Sequence, residues 1–377
     1  MKKTLLATAI IGALGASAAA QAATVYDQDG TKLDVYGRIA VGIAGGGPDY
    51  RSATGAEQAA GAGENVSVNN GAEFVDVYSR LGLRMSHEVT RDLTAFGRLE
   101  WRFRADESGN RNGNSFSAFS ETRQAYLGLQ SDQFGTFQAG NFDSMYNQFV
   151  SLPFDVYIDR GLEFAGHPTQ SRGDSIGYYT PDLSGFTAFL QLKHFSERGL
   201  RNDGSLSGGA ARQTTDDGSE VASQGGVRYA QGPVTIGLGF VDDVARGDGG
   251  NDEMRYGLIG SYAITDQFSA RLGYETRSDN DTFGGGFDTV GLGGTFATGP
   301  WAFNADIYNV DRDNDDSRTA WALGAYYKVS SNFDVFTELH QADQQSVDIT
   351  VGGSDAISVD RADGDDVYWL TGARYHF

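Results

Sequence analysis

The last eleven residues, Val367-Tyr368-Trp369-Leu370-Thr371-Gly372-Ala373-Arg374-Tyr375-His376-Phe377, alternate in a way that narrows what this chain can fold into. Val367, Trp369, Ala373, Tyr375 and Phe377 share one face of a strand. Tyr368, Gly372, Arg374 and His376 share the other, with Leu370 the one apolar residue among them. A strand that runs to an aromatic carboxy-terminus has no later partner in sequence. Its free edge is expected to pair with the beginning of the chain and close a barrel. A period of two, apolar outside and polar inside, is how a chain crosses a membrane without a helix. The expectation is therefore an all-β fold, a transmembrane antiparallel β-barrel.

The amino terminus agrees. Met1-Lys2-Lys3 is a positive n-region, Leu5 to Ala13 a short apolar run, and Ala20-Gln21-Ala22 an Ala-x-Ala cleavage site. This predicts an exported chain with a signal peptide at 1–22 and a single barrel domain at 23–377. The apolar run is too short for a spanning helix, and no other stretch approaches the roughly eighteen apolar residues such a helix needs. Cleavage after Ala22 would remove two lysines and no acid, deepening the formal charge of −21. That charge argues against a nucleic-acid partner, which calls for a basic face. The absence of cysteine excludes disulfides and thiolate metal sites.

The alternation repeats along the chain. Strand 1, 33–43, sets Leu33, Val35, Ile39, Val41 and Ile43 against Asp34, Tyr36, Arg38 and Ala40. Strand 2 sets Val75, Val77, Leu81, Leu83 and Met85 against Asp76, Tyr78, Arg80, Arg84 and Glu88. Strand 3 sets Leu93, Ala95, Leu99, Trp101 and Phe103 against Thr94, Arg98, Glu100, Arg102 and Arg104. Arginines on the inner face of a dry sandwich would be ruinous, whereas on a wet lumen they carry little penalty. Thirteen further strands, ending with 366–377, bring the expected number to sixteen. Short turns and long loops alternate between them, which places both termini on the periplasmic side. All six prolines fall in loops, turns or strand starts, and all four tryptophans have outward parity near strand ends, the interfacial level they favour. One segment resists the pattern. In Glu121-Thr122-Arg123-Gln124-Ala125-Tyr126-Leu127-Gly128-Leu129 the arginine shares a face with Leu127 and Leu129, so parity leaves its direction open.

Two other classes compete with a channel. An enzyme needs a nucleophile or a water with an aligned base, and no converging His-Ser or Asp-His set is present. An adhesin or receptor barrel would act through its loops, and conduction in planar bilayers separates it from a channel. Acidic stretches such as Asp360 to Asp366 are read as solvated loops, because no spacing fixes a set of metal ligands. No cofactor is expected.

Several segments resemble the general, non-specific trimeric porins of Gram-negative outer membranes. Ala23-Thr24-Val25-Tyr26-Asp27-Gln28-Asp29-Gly30-Thr31-Lys32-Leu33-Asp34-Val35-Tyr36-Gly37-Arg38 is similar to that family's mature amino terminus. Ser79-Arg80-Leu81-Gly82-Leu83 resembles its second strand. Arg123-Gln124-Ala125-Tyr126-Leu127-Gly128-Leu129 followed by Phe134-Gly135-Thr136 resembles its fourth strand and the turn after it. Asp159-Arg160-Gly161-Leu162-Glu163-Phe164-Ala165-Gly166 is similar to its third long loop, with Ala165 in place of a glycine.

The resemblance implies a homotrimer in outer-membrane lipid and lipopolysaccharide, passing ions and small hydrophilic solutes by diffusion. It implies that the third loop folds into the barrel. Asp159 and Glu163, with an extra Asp155, would then face a wall ladder of Arg38, Arg80, Arg123 and Arg172, which would also turn Arg123 inward. Arg84, Arg98 and Arg102 would line the pore near it. Tyr375 and Phe377 match the family's signal to the barrel-insertion machinery. Opposed rows of charge set a transverse field across a narrow aqueous slot, which favours small hydrophilic solutes. The sign of the ion preference stays open: the loop acids and the net charge favour cations, while Arg84, Arg98, Arg102 and Arg160 favour anions.

Overall fold

The computed structural model describes residues 22–47, 50–52, 65–67, 70–106, 119–166, 173–195, 219–245, 250–313, 316–343, 346–351, 357–362 and 366–377. Sixteen strands close into one antiparallel barrel. They are β1 (Thr31–Gly45), β2 (Glu73–Asp76 continuing as Arg80–Glu88), β3 (Leu93–Arg102), β4 (Glu121–Ser131), β5 (Gly135–Phe142), β6 (Gly173–Tyr179), β7 (Phe186–Phe195) and β8 (Glu220–Gln231). The second half adds β9 (Val234–Asp243), β10 (Glu253–Ala263), β11 (Phe268–Arg277), β12 (Phe287–Thr298), β13 (Trp301–Arg312), β14 (Arg318–Lys328), β15 (Phe333–Gln341) and β16 (Tyr368–His376). Each strand pairs with its neighbours in sequence, and β16 pairs with β1 from Arg38↔His376 to Gly45↔Trp369.

One short strand lies outside the sequence expectation. Ala23–Gln28 turns back through Asp29 and Gly30, both at positive φ (52° and 71°), and pairs with the start of β1. Two positive φ values in a two-residue hairpin are what the right-handed twist of the strands demands.

The alternation puts apolar side chains on the outer surface and polar ones inside. Ile236, Leu238, Leu258, Leu272, Leu292 and Ile307 are exposed on the outer face, while Gln191, Arg271, Glu275, Asp306 and Glu338 are buried on the inner one. The expected parity fails in the first half of β2. Residues 77–79 stand opposite only two residues of β1, between Val41↔Asp76 and Arg38↔Arg80. Tyr78 sits in this bulge at φ 61°. The Ser79 hydroxyl takes the place of ladder bonds, accepting from Ala40 N at 3.0 Å and donating to Ala40 O at 3.2 Å. One extra residue inverts the faces. Phe74 therefore lies exposed opposite Ile43, whereas Val75 and Val77, expected outside, pack with Ala40, Ala44 and Leu370.

Much of the apolar core is contributed by the connection after β5. Residues 143–166 include a short helical stretch, Asn147–Ser151 and then Leu152–Phe154. Met145, Tyr146, Val150, Phe154 and Phe164 are buried together with Ile259 of β10 and Tyr308 of β13. The wall makes room with glycine: a Cβ at Gly273 or Gly291 would lie 2.7 Å from the Phe164 ring. Gly273→Val should therefore lower the unfolding midpoint, with an overpacking cost of about 1–3 kcal/mol. A thermal melt of the purified barrel would check this, and an unchanged midpoint would show that Phe164 is not seated there.

Candidate functional site

The pairing of β1, β2 and β3 sets arginines directly opposite one another. Arg38 faces Arg80, Arg80 faces Arg102, and Arg84 faces Arg98. Like charges opposed across a ladder are destabilising, so something must compensate. The compensation is Glu100 of β3, which is wholly buried. Its carboxylate accepts from Arg80 Nη1 at 3.3 Å, Arg98 Nη2 at 3.0 Å, Arg123 Nη1 at 2.5 Å and the Tyr36 hydroxyl at 2.8 Å. Tyr36 also accepts from Arg98 Nε at 2.7 Å, and the Arg84 guanidinium lies 4.2 Å from its ring centroid. Arg38 donates to the carbonyl of Tyr78 at 3.0 Å.

Arg123 belongs to this cluster because β4 carries a bulge. Glu100 pairs with Gln124, yet the next residue, Trp101, pairs with Thr122, leaving Arg123 as the extra residue. Arg123 and Gln124 then reach the same acid: Arg123 Nη2 meets Asp143 at 2.8 Å and Gln124 Nε2 donates to it as well. This resolves the conflict of parity in the sequence.

The 143–166 segment is held to the barrel by two buried carboxylates, one on β15 and one on β11. Glu338 of β15 accepts Ile158 N at 2.6 Å, Asp159 N at 3.2 Å and the Tyr326 hydroxyl at 2.6 Å. Glu275 of β11 accepts Ala165 N at 3.1 Å and the Tyr146 hydroxyl at 2.8 Å. Between these anchors the Asp159 carboxylate accepts the hydroxyls of Tyr78 and Tyr368, each at 2.7 Å, and Arg160 stacks 3.8 Å from the Tyr368 ring centroid.

Glu163 lies elsewhere. It pairs with Arg318 of β14 and sits 3.3 Å from His340 of β15. Burial pushes its carboxyl up, but the hydrogen bonds and charges of His340 and Arg318 override that and hold it below its usual 4.5. Asp155 meets Asn147 of its own segment at 3.4 Å.

The structure thus gathers Arg38, Arg80, Arg123, Arg84, Arg98 and Arg102 on one wall. It places Asp159 against tyrosines of β2 and β16, and Glu163 beside Arg318 rather than beside those arginines. Arg172 lies outside the described residues. Tyr375 points outward on β16, and Phe377 exchanges backbone hydrogen bonds with Gly37 of β1. Sequence reasoning missed Glu275, Glu338, Arg318 and the two tyrosines as site residues. The available signal was an acid sharing the inward face of its strand with arginines, as Glu275 does with Arg271 and Arg277.

An apolar exterior, a closed ladder of backbone hydrogen bonds and an inner wall lined with charge define a membrane-spanning β-barrel channel. Residues 7–346 match the Gram-negative porins, and the chain belongs to that family. It is an outer-membrane protein that provides a channel for passive diffusion of solutes.

A monosaccharide porin of a Halomonas species is 27% identical over 87% of this chain and 76% of its own length. Outer membrane porin F of Escherichia coli is 32% identical over 47% of this chain and 42% of its own length. Among solved structures, an anion-selective porin from Comamonas acidovorans superposes with a TM-score of 0.64 at 18% identity, covering 92% of this chain and all of that one. The trimer form of OmpT from Vibrio cholerae gives 0.58 at 16% identity, covering 93% of this chain and all of that one. At those identities the likeness is one of fold.

The lowered Glu163 carboxyl has a definite sign. Its contacts stabilise the folded chain above the unfolded value of 4.5, and that contribution is lost as pH falls through the lower folded value. The difference in unfolding midpoint between the native chain and Glu163→Gln should be present at pH 5 and should shrink as pH is taken further below 4.5. A difference that is already gone at pH 5 would place the carboxyl outside this pair.

Proposed function

We propose that the channel is narrowed by a charged constriction, in which Asp159, Glu163 and Asp155 on the 143–166 segment oppose the arginines of β1–β4. The observation that carries this is the tethering of the segment. Glu275 and Glu338, both buried on inward parity, accept its backbone N–H groups, while Tyr78 and Tyr368 hold Asp159 from other strands. A strap fixed at these points, with arginines on the facing wall, leaves a slot with charge on both sides. Dipolar solutes can orient in its field, whereas an apolar molecule must break up its ordered water. Arg172 would join the ladder at the end of the connection.

Transport would proceed without a covalent step, cofactor or metal. The working unit would be a homotrimer, with the apolar outer faces of β1–β5 serving as the subunit contact and the rest facing lipid and lipopolysaccharide. Export would depend on a signal peptide cleaved after Ala22. Tyr375 and Phe377 would present the terminal strand to the insertion machinery.

Three outcomes are expected. Purified protein should give stepwise conductance in planar bilayers, and the double change Asp159→Asn, Glu163→Gln should shift the reversal potential in a salt gradient toward anion preference. If neither selectivity nor conductance moves, these acids do not line the slot. Deleting Phe377 should lower the amount recovered from the outer membrane and leave the conductance of inserted molecules unchanged, so normal recovery would refute its role in insertion. Native mass measurement should return three chains per particle.

A further inference from the structure

We propose that the inner wall of β10–β14 carries a binding site for a monosaccharide acid of the hexuronate class. The inference rests on the channel function proposed above and adds to it a solute that is held on its way through. A cavity of about 490 Å³ lies at the end of the barrel opposite both termini. Its lining includes Arg255 of β10, Arg277 of β11, Phe287 and Thr289 of β12, Arg318 of β14 and, from the 143–166 segment, Glu163. That volume falls within the range of about 300–1,000 Å³ typical of small-molecule pockets.

The walls are fixed before any solute arrives. Arg255 donates to Asp243 from Nε at 2.9 Å and to Glu275 from Nη1 at 3.1 Å, and Arg277 Nη1 donates to Asp243 at 2.6 Å. Gly285, at φ 80°, turns its carbonyl onto Arg277, 3.0 Å from Nε and 2.6 Å from Nη2. Asn251 Nδ2 holds the neighbouring Gly284 carbonyl at 2.7 Å. The side chains of Asp243 and Glu275 are only 1% exposed and lie outside the lining. Glu163 is thus the one carboxylate among the described residues that form the cavity.

Three kinds of contact converge there. A guanidinium carries five N–H groups. Arg255 commits three of them, to Asp243 and Glu275, and Arg318 commits two, to Glu163 and the Ala342 carbonyl. The N–H groups left at their Nη atoms can donate in a plane to a carboxylate. Each oxygen of Glu163 is met by one residue, Arg318 or His340, and keeps a lone pair for a sugar hydroxyl. The Phe287 ring is half-buried, with the Arg255 and Arg277 guanidiniums each 5.2 Å from its centroid. It offers an apolar surface to the C–H face of a pyranose. A simple anion would use only the first of these contacts, and a neutral sugar only the other two.

The test uses the full-length protein in planar bilayers in potassium chloride, with sodium glucuronate as the probe and sodium acetate and glucose as controls. Glucuronate should reduce the ion current along a saturating curve. Its half-point should lie at least about tenfold below the concentration at which acetate or glucose has the same effect, a difference worth one full set of contacts. Phe287→Ala should raise that half-point at least about threefold, the loss of one ring contact. Phe287→Tyr should leave it near the native value. Calorimetric titration of the purified protein with glucuronate should return one site per chain.

An acetate effect equal to that of glucuronate would be a response to charge alone and overturns the proposal, as does a response that does not saturate. An unchanged half-point in Phe287→Ala overturns this location. No conductance steps at all would overturn the channel function, and the titration would still decide whether the site exists. The preference for glucuronate over acetate and glucose is read on the native chain, so it decides the ligand class even if the alanine variant fails to assemble.

Discussion

The seam between β16 and β1 is the constraint on which the rest of the molecule depends. In hydrocarbon an unpaired backbone N–H or C=O costs several kcal/mol, so a barrel left open by one strand would expose a row of them. The seam is sealed from two sides of the sequence. β16 covers the edge of β1 from Gly45 down to Gly37, where Gly37 N donates to Phe377 O at 2.8 Å and Phe377 N donates back to Gly37 O at 3.1 Å. Below that point Ala23–Gln28 takes over and pairs with the first residues of β1. Two stretches from opposite ends of the chain thus cover one strand edge. With the edge gone, the inner face can be given over to charge, because the sheet no longer needs that face for a dry core.

The barrel itself was legible in the sequence because period-2 alternation is a local signal repeated sixteen times. Misjudging one strand end by a few residues does not move its faces. Parity failed where a single residue was inserted, and both insertions lie at the arginine wall. At Tyr78 the bulge sent Val75 and Val77 inward, which no window of alternating residues could announce. At Arg123 the same device turned an arginine from an apparently apolar face toward Glu100 and Asp143. The ambiguity in the sequence was the trace of the bulge. Pattern alone could not show that an extra residue, rather than an outward arginine, was its cause.

The 143–166 segment was less legible, for a different reason. Its contacts join residues far apart in sequence: Tyr146 to Glu275, Ile158 to Glu338, and Asp159 to Tyr368. Nothing local distinguishes an acid that anchors a strap from one that lines water. Asp159 and Glu163, only four residues apart in one motif, end against different strands with different partners, tyrosine hydroxyls for one and Arg318 with His340 for the other. A family resemblance can mark both as acids of the slot. Their separate surroundings depend on where the strap turns, and that is set by the anchors on β11 and β15.

A wall of opposed arginines would be a poor choice for stability, and its persistence is best understood through the acid behind it. Removing one partner of a buried ion pair leaves an uncompensated charge and typically costs 3–5 kcal/mol. Glu100 is partner to three guanidinium groups at once, and its oxygens also take the Tyr36 hydroxyl. The cross-strand repulsion of Arg84 with Arg98 is eased in a second way, since both guanidiniums lie against the Tyr36 ring, at 4.2 and 5.3 Å. One glutamate and one tyrosine therefore engage Arg80, Arg84, Arg98 and Arg123. The fold spends buried polar groups on fixing the direction of exposed ones.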